Sequence, residues 1–201
     1  NLNCPNGTLP PERFQTFDAE KIPYALGEDK NFEGVADIYV DDDALIPTSY
    51  WPTYDDSPEV YGTKWFAQTF TPARSHTITT IKLSLLKSGT PGTLTVGIRA
   101  IDNGTGKPTG SDLTSGTFNA DTLTGSFADT NISVTPYYLH AGTTYAIVFR
   151  ISGNTPNVVQ FKDRNPGSYS GGQRCDSTDS GASWTTSSAD VLFYEYGNWY
   201  D

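Results

Sequence analysis

The sequence predicts an all-β chain: an antiparallel β-sandwich or jelly roll carried behind an extended acidic N-terminal arm. Three observations lead there. From Trp65 onward, runs of β-branched and aromatic residues are bounded by clusters of Gly, Pro, Asn and Asp, and the clearest runs alternate apolar with polar. No segment holds the 3.6-residue apolar period of a core-facing helix. The charge is also divided. The 201-residue chain has a net charge of −10, and residues 1–60 carry 13 acidic against three basic side chains, whereas residues 61–201 carry ten of each.

Residues 1–60 read as the arm and 61–201 as the sandwich domain. Prolines at 5, 10, 11, 23, 47, 52 and 58 break any long helix or central strand in the arm. One run in it, Val35-Ala36-Asp37-Ile38-Tyr39-Val40, has strand character. A segment with so little apolar periodicity is ordered only by lying on something, either its own domain or a neighbour.

In the second part the candidate strands are 65–70, 78–86, 93–101, 114–118, 131–135, 144–151, 157–162 and 189–196. Leu94, Val96, Ile98 and Ala100 alternate with Thr95, Gly97 and Arg99. Ile81, Leu83 and Leu85 alternate with Lys82 and Ser84. One apolar face per strand means a sheet that is packed on one side and wet on the other. Turn chemistry fills the gaps: Ser88-Gly89-Thr90-Pro91-Gly92, a longer polar loop from Asp102 to Gly110, and Leu139-His140-Ala141-Gly142-Thr143. Short strands with no helices between them leave a sandwich or jelly roll.

Composition narrows function before any motif does. Hydrophobic residues at 36% and aromatics at 13% suffice for a core. No apolar stretch reaches the about 20 residues of a membrane-crossing helix, so membrane insertion is not expected. The net charge of −10 argues against nucleic acid, whose phosphates require a basic surface. The richness in Thr, Ser, Gly, Asn, Asp and Tyr is the usual make-up of secreted and virion β-proteins. An extracellular, cell-surface or virion-surface setting is therefore expected.

Four stretches carry a family resemblance: AQTFTP at 67–72, GTPGTLTVGIRA at 89–100, GKPTGSDL at 106–113 and AGTTYAIVFR at 141–150. With them, residues 65–197 resemble the choice-of-anchor type domains of secreted bacterial and archaeal proteins and similar domains of phage structural proteins. The resemblance implies a non-catalytic β-sandwich displayed on a surface. It implies no ligand, since its elements are strands and turns, and the acidic arm lies outside it. A smaller motif, Ser177, Asp179, Gly181 and Trp184, fits S-x-D-x-G-x-x-W and resembles the Asp-box of sialidases. That resemblance implies a hairpin turn fixed by the Asp carboxylate on backbone N–H groups, with the Trp packed beneath, as a structural rather than catalytic element.

The remaining candidates each admit two readings. His76 and His140 lie in polar turns without G-x-S-x-G, H-E-x-x-H or C-x-x-C, so no catalytic residue is expected and the chain reads as not an enzyme. Cys4 and Cys175 make one disulfide in an exported protein; the alternatives are free thiols or pairing with another chain. Asp37, Asp41, Asp42, Asp43, Asp55 and Asp56 are either a solvated acidic segment or a calcium site. No cofactor is required, and calcium is the one candidate ion. Tyr50, Trp51, Tyr54, Tyr61, Trp199 and Tyr200 are either packing and protein-interface residues or contacts for a glycan, whose apolar ring face stacks on an aromatic. Asn6, Asn103 and Asn131 begin N-glycosylation sequons.

The function expected from these features is a non-catalytic, surface-displayed structural subunit. Such a subunit is a virion decoration or fibre, or an extracellular assembly component, docking on copies of itself or on capsid or filament neighbours through the arm. The alternative is a carbohydrate-binding module stabilised by calcium.

Overall fold

The computed structural model describes residues 56–198. Within them thirteen strands follow one another: β1 (Glu59–Val60), β2 (Trp65–Phe70), β3 (His76–Ser88), β4 (Thr93–Asp102), β5 (Lys107–Asn119), β6 (Ala128–Leu139), β7 (Tyr145–Ile151), β8 (Val158–Phe161), β9 (Asp163–Arg164), β10 (Arg174–Ser177), β11 (Thr185–Thr186), β12 (Asp190–Val191) and β13 (Phe193–Asn198). The only helical piece among them is a single 3-10 turn, Ala120–Thr122, capped by the Asn119 side chain.

The strands form an antiparallel β-sandwich. A six-stranded sheet runs β11-β10-β2-β7-β4-β5, and a five-stranded sheet is built around β3. Along β3, Leu83 is opposite both Thr130 of β6 and Phe193 of β13, and Leu85 is opposite both Ala128 of β6 and Phe161 of β8. Thus β6 occupies one side of β3, while β13 and then β8 share the other. β1 completes this sheet beyond β8, and β9 with β12 makes a separate two-stranded ladder.

Period-two alternation decides what faces inward. Ile81, Leu83 and Leu85 of β3 and Leu94, Val96 and Ile98 of β4 are buried between the sheets. Ala100, expected on that inner face, keeps this register, opposite Tyr145 of β7, but is exposed near the end of the strand. At the centre, Phe161 of the smaller sheet meets Phe66 and Phe149 of the larger one edge-on, with 4.8 Å between ring centroids in both pairs. One edge of the sandwich is closed by backbone contact. Gly116 of β5 passes so near β6 that a methyl group there would sit 1.8 Å from the Ser133 carbonyl oxygen. Next to it, the Thr114 hydroxyl donates to the Thr135 carbonyl.

Several elements differ from the sequence expectation. The long loop expected from Asp102 to Gly110 is a tight turn, since Lys107 already pairs with Asp102 and β5 starts there. The strand expected at 189–196 is two strands parted at Leu192, whose N–H turns aside to Lys162. β10 lies in Arg174-Cys175-Asp176-Ser177, where no apolar alternation marks it. The strand expected at 35–40 lies outside the described residues.

Phe161 packs between the Phe66 and Phe149 rings and is fully buried. Phe161→Ala should cost about 3–5 kcal/mol in urea unfolding, at the upper end for a core truncation, because the rigid strands around it leave a cavity.

Candidate functional site

Outside the main core, the described residues carry organised chemistry in four places. On the outer face of the six-stranded sheet, Ala67, Ala146, Val148 and Cys175 form a second buried cluster under Trp184, with Trp65 and Ile101 packed against it. They point outward because their neighbours Phe66, Ile147 and Phe149 point into the core. Trp184 is delivered by the turn that begins at Ser177. The Ser177 hydroxyl donates to Asp179 Oδ1 at 2.8 Å and accepts the Gly181 N–H at 2.9 Å. Asp179 accepts the Ser183 N–H at 2.9 Å and the Ser183 hydroxyl at 2.5 Å. These bonds, the Ser183 hydroxyl foremost, hold the Asp179 carboxyl down at about 2. Gly181 supplies a φ of +79° and lies so close to Trp65 that a methyl group would come within 2.8 Å of its ring.

Beside this turn, Trp65 receives the Arg150 and Arg99 guanidiniums at 5.0 and 5.6 Å from a ring centroid. Asp112 holds both, accepting Arg99 Nε at 2.7 Å and Arg150 Nη2 at 2.6 Å. Burial would raise the Asp112 carboxyl, but the two arginines outweigh it and keep the group below its ordinary value. Asp112 belongs to an irregular stretch of β5, between the Thr109–Ala100 and Thr114–Ile98 pairs, that folds back over Gly97.

Further along the same face, where β2 and β4 end and β7 begins, lies an open groove of about 630 Å³. Thr69, Thr71, Thr144 and Ile101 form its floor. Gly106 of the β4–β5 turn lines one side and the Ser170–Gln173 segment the other, and no charged side chain lines it. The second wall is fixed to the sheet. The Thr69 hydroxyl donates to the Gln173 carbonyl at 3.1 Å and accepts the Gln173 N–H at 2.8 Å. The Thr71 hydroxyl donates to the Gly171 carbonyl at 3.1 Å and sits 2.9 Å from the Thr144 hydroxyl.

The outer face of the five-stranded sheet carries tyrosines. Opposed residues share a face, so Tyr194, Lys82 and Asn131 form one row and Tyr196, Thr80 and Ser133 the next. The Tyr194 and Tyr196 rings stack at 6.2 Å, and Lys82 Nζ lies 4.1 Å over Tyr194 while also pairing with Asp129 at 3.4 Å. Tyr138, 45% exposed, stands farther along this face beside His140.

Between the sheets, three polar ties are buried. His76 Nε2 lies 2.8 Å from Glu195 Oε2, and its Nδ1 faces the Arg74 carbonyl at 3.1 Å. Both ring nitrogens therefore face acceptors. Burial lowers the His76 pKa, but the Glu195 carboxylate and the Arg74 carbonyl outweigh it, and the net value is raised above 6.5. Gln68 Nε2 donates to Asp190 at 3.1 Å, and burial raises the Asp190 carboxyl. Arg174 holds Asp176 through two nitrogens at 2.8 and 3.0 Å and donates Nη1 to Asp163.

Among the sequence-predicted site residues, Tyr61 is half-buried, packs on the main core and lies under Lys64 Nζ at 5.5 Å. Asp56 is exposed; its carboxylate accepts the Ser57 N–H at 2.8 Å, and its backbone pairs with Asp163. No group of three or more His, Cys, Asp or Glu is placed to hold a metal ion among the described residues. Cys175 is a fully buried free thiol whose pKa burial and Asp176 push up to about 11. Asn103 is exposed in the β4–β5 turn and Asn131 on β6. Cys4, Asn6, Asp37, Asp41, Asp42, Asp43, Tyr50, Trp51, Tyr54, Asp55, Trp199 and Tyr200 lie outside the described residues.

Sequence reasoning finds the Asp179 turn, whose residues are contiguous, and misses the groove. The groove's floor and walls come from four separated segments, each of which reads as ordinary strand-end or turn chemistry. Comparison with protein-family models finds no match for this chain, and comparison with curated proteins finds none either.

Two pH dependences follow. His76 has a raised folded-state pKa, so its contribution to stability is full below about pH 6.5 and is lost as pH rises through the raised value. Asp179 is lowered, so its contribution is present above its ordinary 3.8 and is lost as pH falls toward about 2. Urea unfolding across both windows should show the first slope flatten in His76→Gln and the second, which Asp112 shares, shrink in Asp179→Asn.

Proposed function

We propose that this chain is a non-catalytic structural subunit, displayed on a cell, a virion or another extracellular assembly. Its acidic arm docks on a neighbouring copy or on a capsid or filament partner. The observation that carries this reading is the division of charge: residues 61–201 are balanced, and the whole net charge of −10 resides in residues 1–60. Such an arm repels its own kind and is drawn to basic groups, over distances that salt screens. Strand addition by residues 35–40 at an open sheet edge supplies the directional part of the contact. The domain brings a packed aromatic centre and one edge closed by Gly116 on Ser133.

The second reading is a carbohydrate-binding module, favoured by the groove, which has a volume in the range of ligand pockets and a hydroxyl lining. Calcium bound at Asp37, Asp41, Asp42, Asp43, Asp55 and Asp56 would stiffen the arm in either reading.

Light scattering on the full chain tests the first reading. The expected result is a mass above the 21.9 kDa monomer at low salt. It should return to the monomer at high salt and in a chain with Asp41, Asp42 and Asp43 all changed to Asn. A monomer under every condition removes self-docking and leaves only a foreign partner. Repeating the series with calcium and then chelator decides the ion: a mass or melting temperature indifferent to both excludes it.

A further inference from the structure

Resting on the carbohydrate-binding reading, we infer that the groove between Ile101, Thr144, Ser170 and Gln173 is the ligand site, and that its ligand is a neutral oligosaccharide. The donor and acceptor inventory of the floor leads there. The Thr71 hydroxyl gives its one proton to the Gly171 carbonyl, so the Thr71–Thr144 contact uses the proton of Thr144. The Thr144 oxygen is left with free lone pairs, an acceptor held in place from below. Thr69 is spent on both backbone groups of Gln173, which fixes that residue's main chain. The Gln173 side-chain amide has no hydrogen-bond partner among the described residues. It presents a donor and an acceptor side by side, the pattern that two adjacent sugar hydroxyls satisfy. Ile101 gives the floor an apolar patch for the C–H face of a pyranose.

The same features exclude the other ligand classes. No charged side chain lines the groove, so an ionised ligand would be desolvated without a counter-charge. A peptide strand cannot add here, since β2, β7 and β4 are each paired on both sides within the sheet. The walls are bonded to the sheet before any ligand arrives, so binding orders little and loses little entropy.

The test is NMR titration of the full chain with neutral gluco-, galacto-, xylo- and manno-oligosaccharides and with acidic oligogalacturonate. In support, one neutral saccharide shifts the Gln173 side-chain amide, Gln173→Ala weakens it roughly three- to ten-fold, and Ser170→Trp abolishes binding by filling the groove. Both residues are at the surface, and unchanged melting temperatures verify that both variants fold. Thr144→Val provides a second reading of the floor acceptor. If a saccharide binds undisturbed by these changes but is lost in Tyr138→Ala, the carbohydrate reading survives at the tyrosine face and the groove is overturned. Preference for oligogalacturonate overturns the neutral class. If nothing binds at millimolar concentration, the carbohydrate reading itself falls, and the groove with it.

Discussion

A buried guanidinium organises one end of this sandwich. Arg174 is 9% exposed and lies between the sheets, where an unpaired charge is costly. Its partners come from two strands: Asp163 of β9 and Asp176 of its own β10, with the Phe66 ring 5.6 Å away. Its backbone is equally committed, donating to Ala189 and accepting from Ser187. The groove wall ends at Gln173, one residue before Arg174, and the Asp179 turn begins at Ser177, three residues after it. Both surface features are held in place by one buried charge and the acids that neutralise it.

The two halves of the molecule obey different constraints. In the sandwich, the long strands bury a face, and the ionised groups that fall inside are matched: His76 with Glu195, Arg174 with Asp163. Asp190, held by Gln68 and the Tyr169 N–H, sits where burial favours the neutral acid. In residues 1–60 no such bookkeeping is visible in the sequence, since acids outnumber bases 13 to three and few apolar positions recur. A neutral, rigid body joined to a strongly acidic segment suits the proposed docking role, because the first supplies shape and the second long-range attraction.

The fold was legible where burial imposes a period. Lys82 between Ile81 and Leu83, and Thr95 between Leu94 and Val96, announce strands that are wet on one side, and both strands are there. Legibility failed where hydrogen bonding substitutes for apolar alternation. Arg174-Cys175-Asp176-Ser177 shows no alternation, because Arg174 points inward as an ion-paired residue while Cys175 points outward into the cluster under Trp184. The Asp179 turn was legible because the bonds of its Ser177 and Asp179 side chains are local, none spanning more than four residues. The groove was not, because Thr69 and Gln173 are 104 residues apart and nothing in either segment names the other. Tyr61, read from sequence as either a packing or a contact residue, is half-buried against the core, since aromatic density alone does not distinguish a rim from a lining.

The position of β3 has a consequence for how the chain reaches this structure. β3 is formed by residues 76–88, but its partners are supplied by residues 128–139, 158–161 and 193–198. None of its ladders is a short hairpin, so each closes a long loop before any contact repays the entropy. Such a topology has high contact order and assembles slowly. During synthesis, β3 has no partner until β6 emerges, and its other side is not fully paired until β13 follows, more than a hundred residues after Ser88. The alternating Thr77, Thr80, Lys82 and Ser84 on its other face then act as the chain's own protection against premature association, keeping the strand soluble on one side while its neighbours arrive.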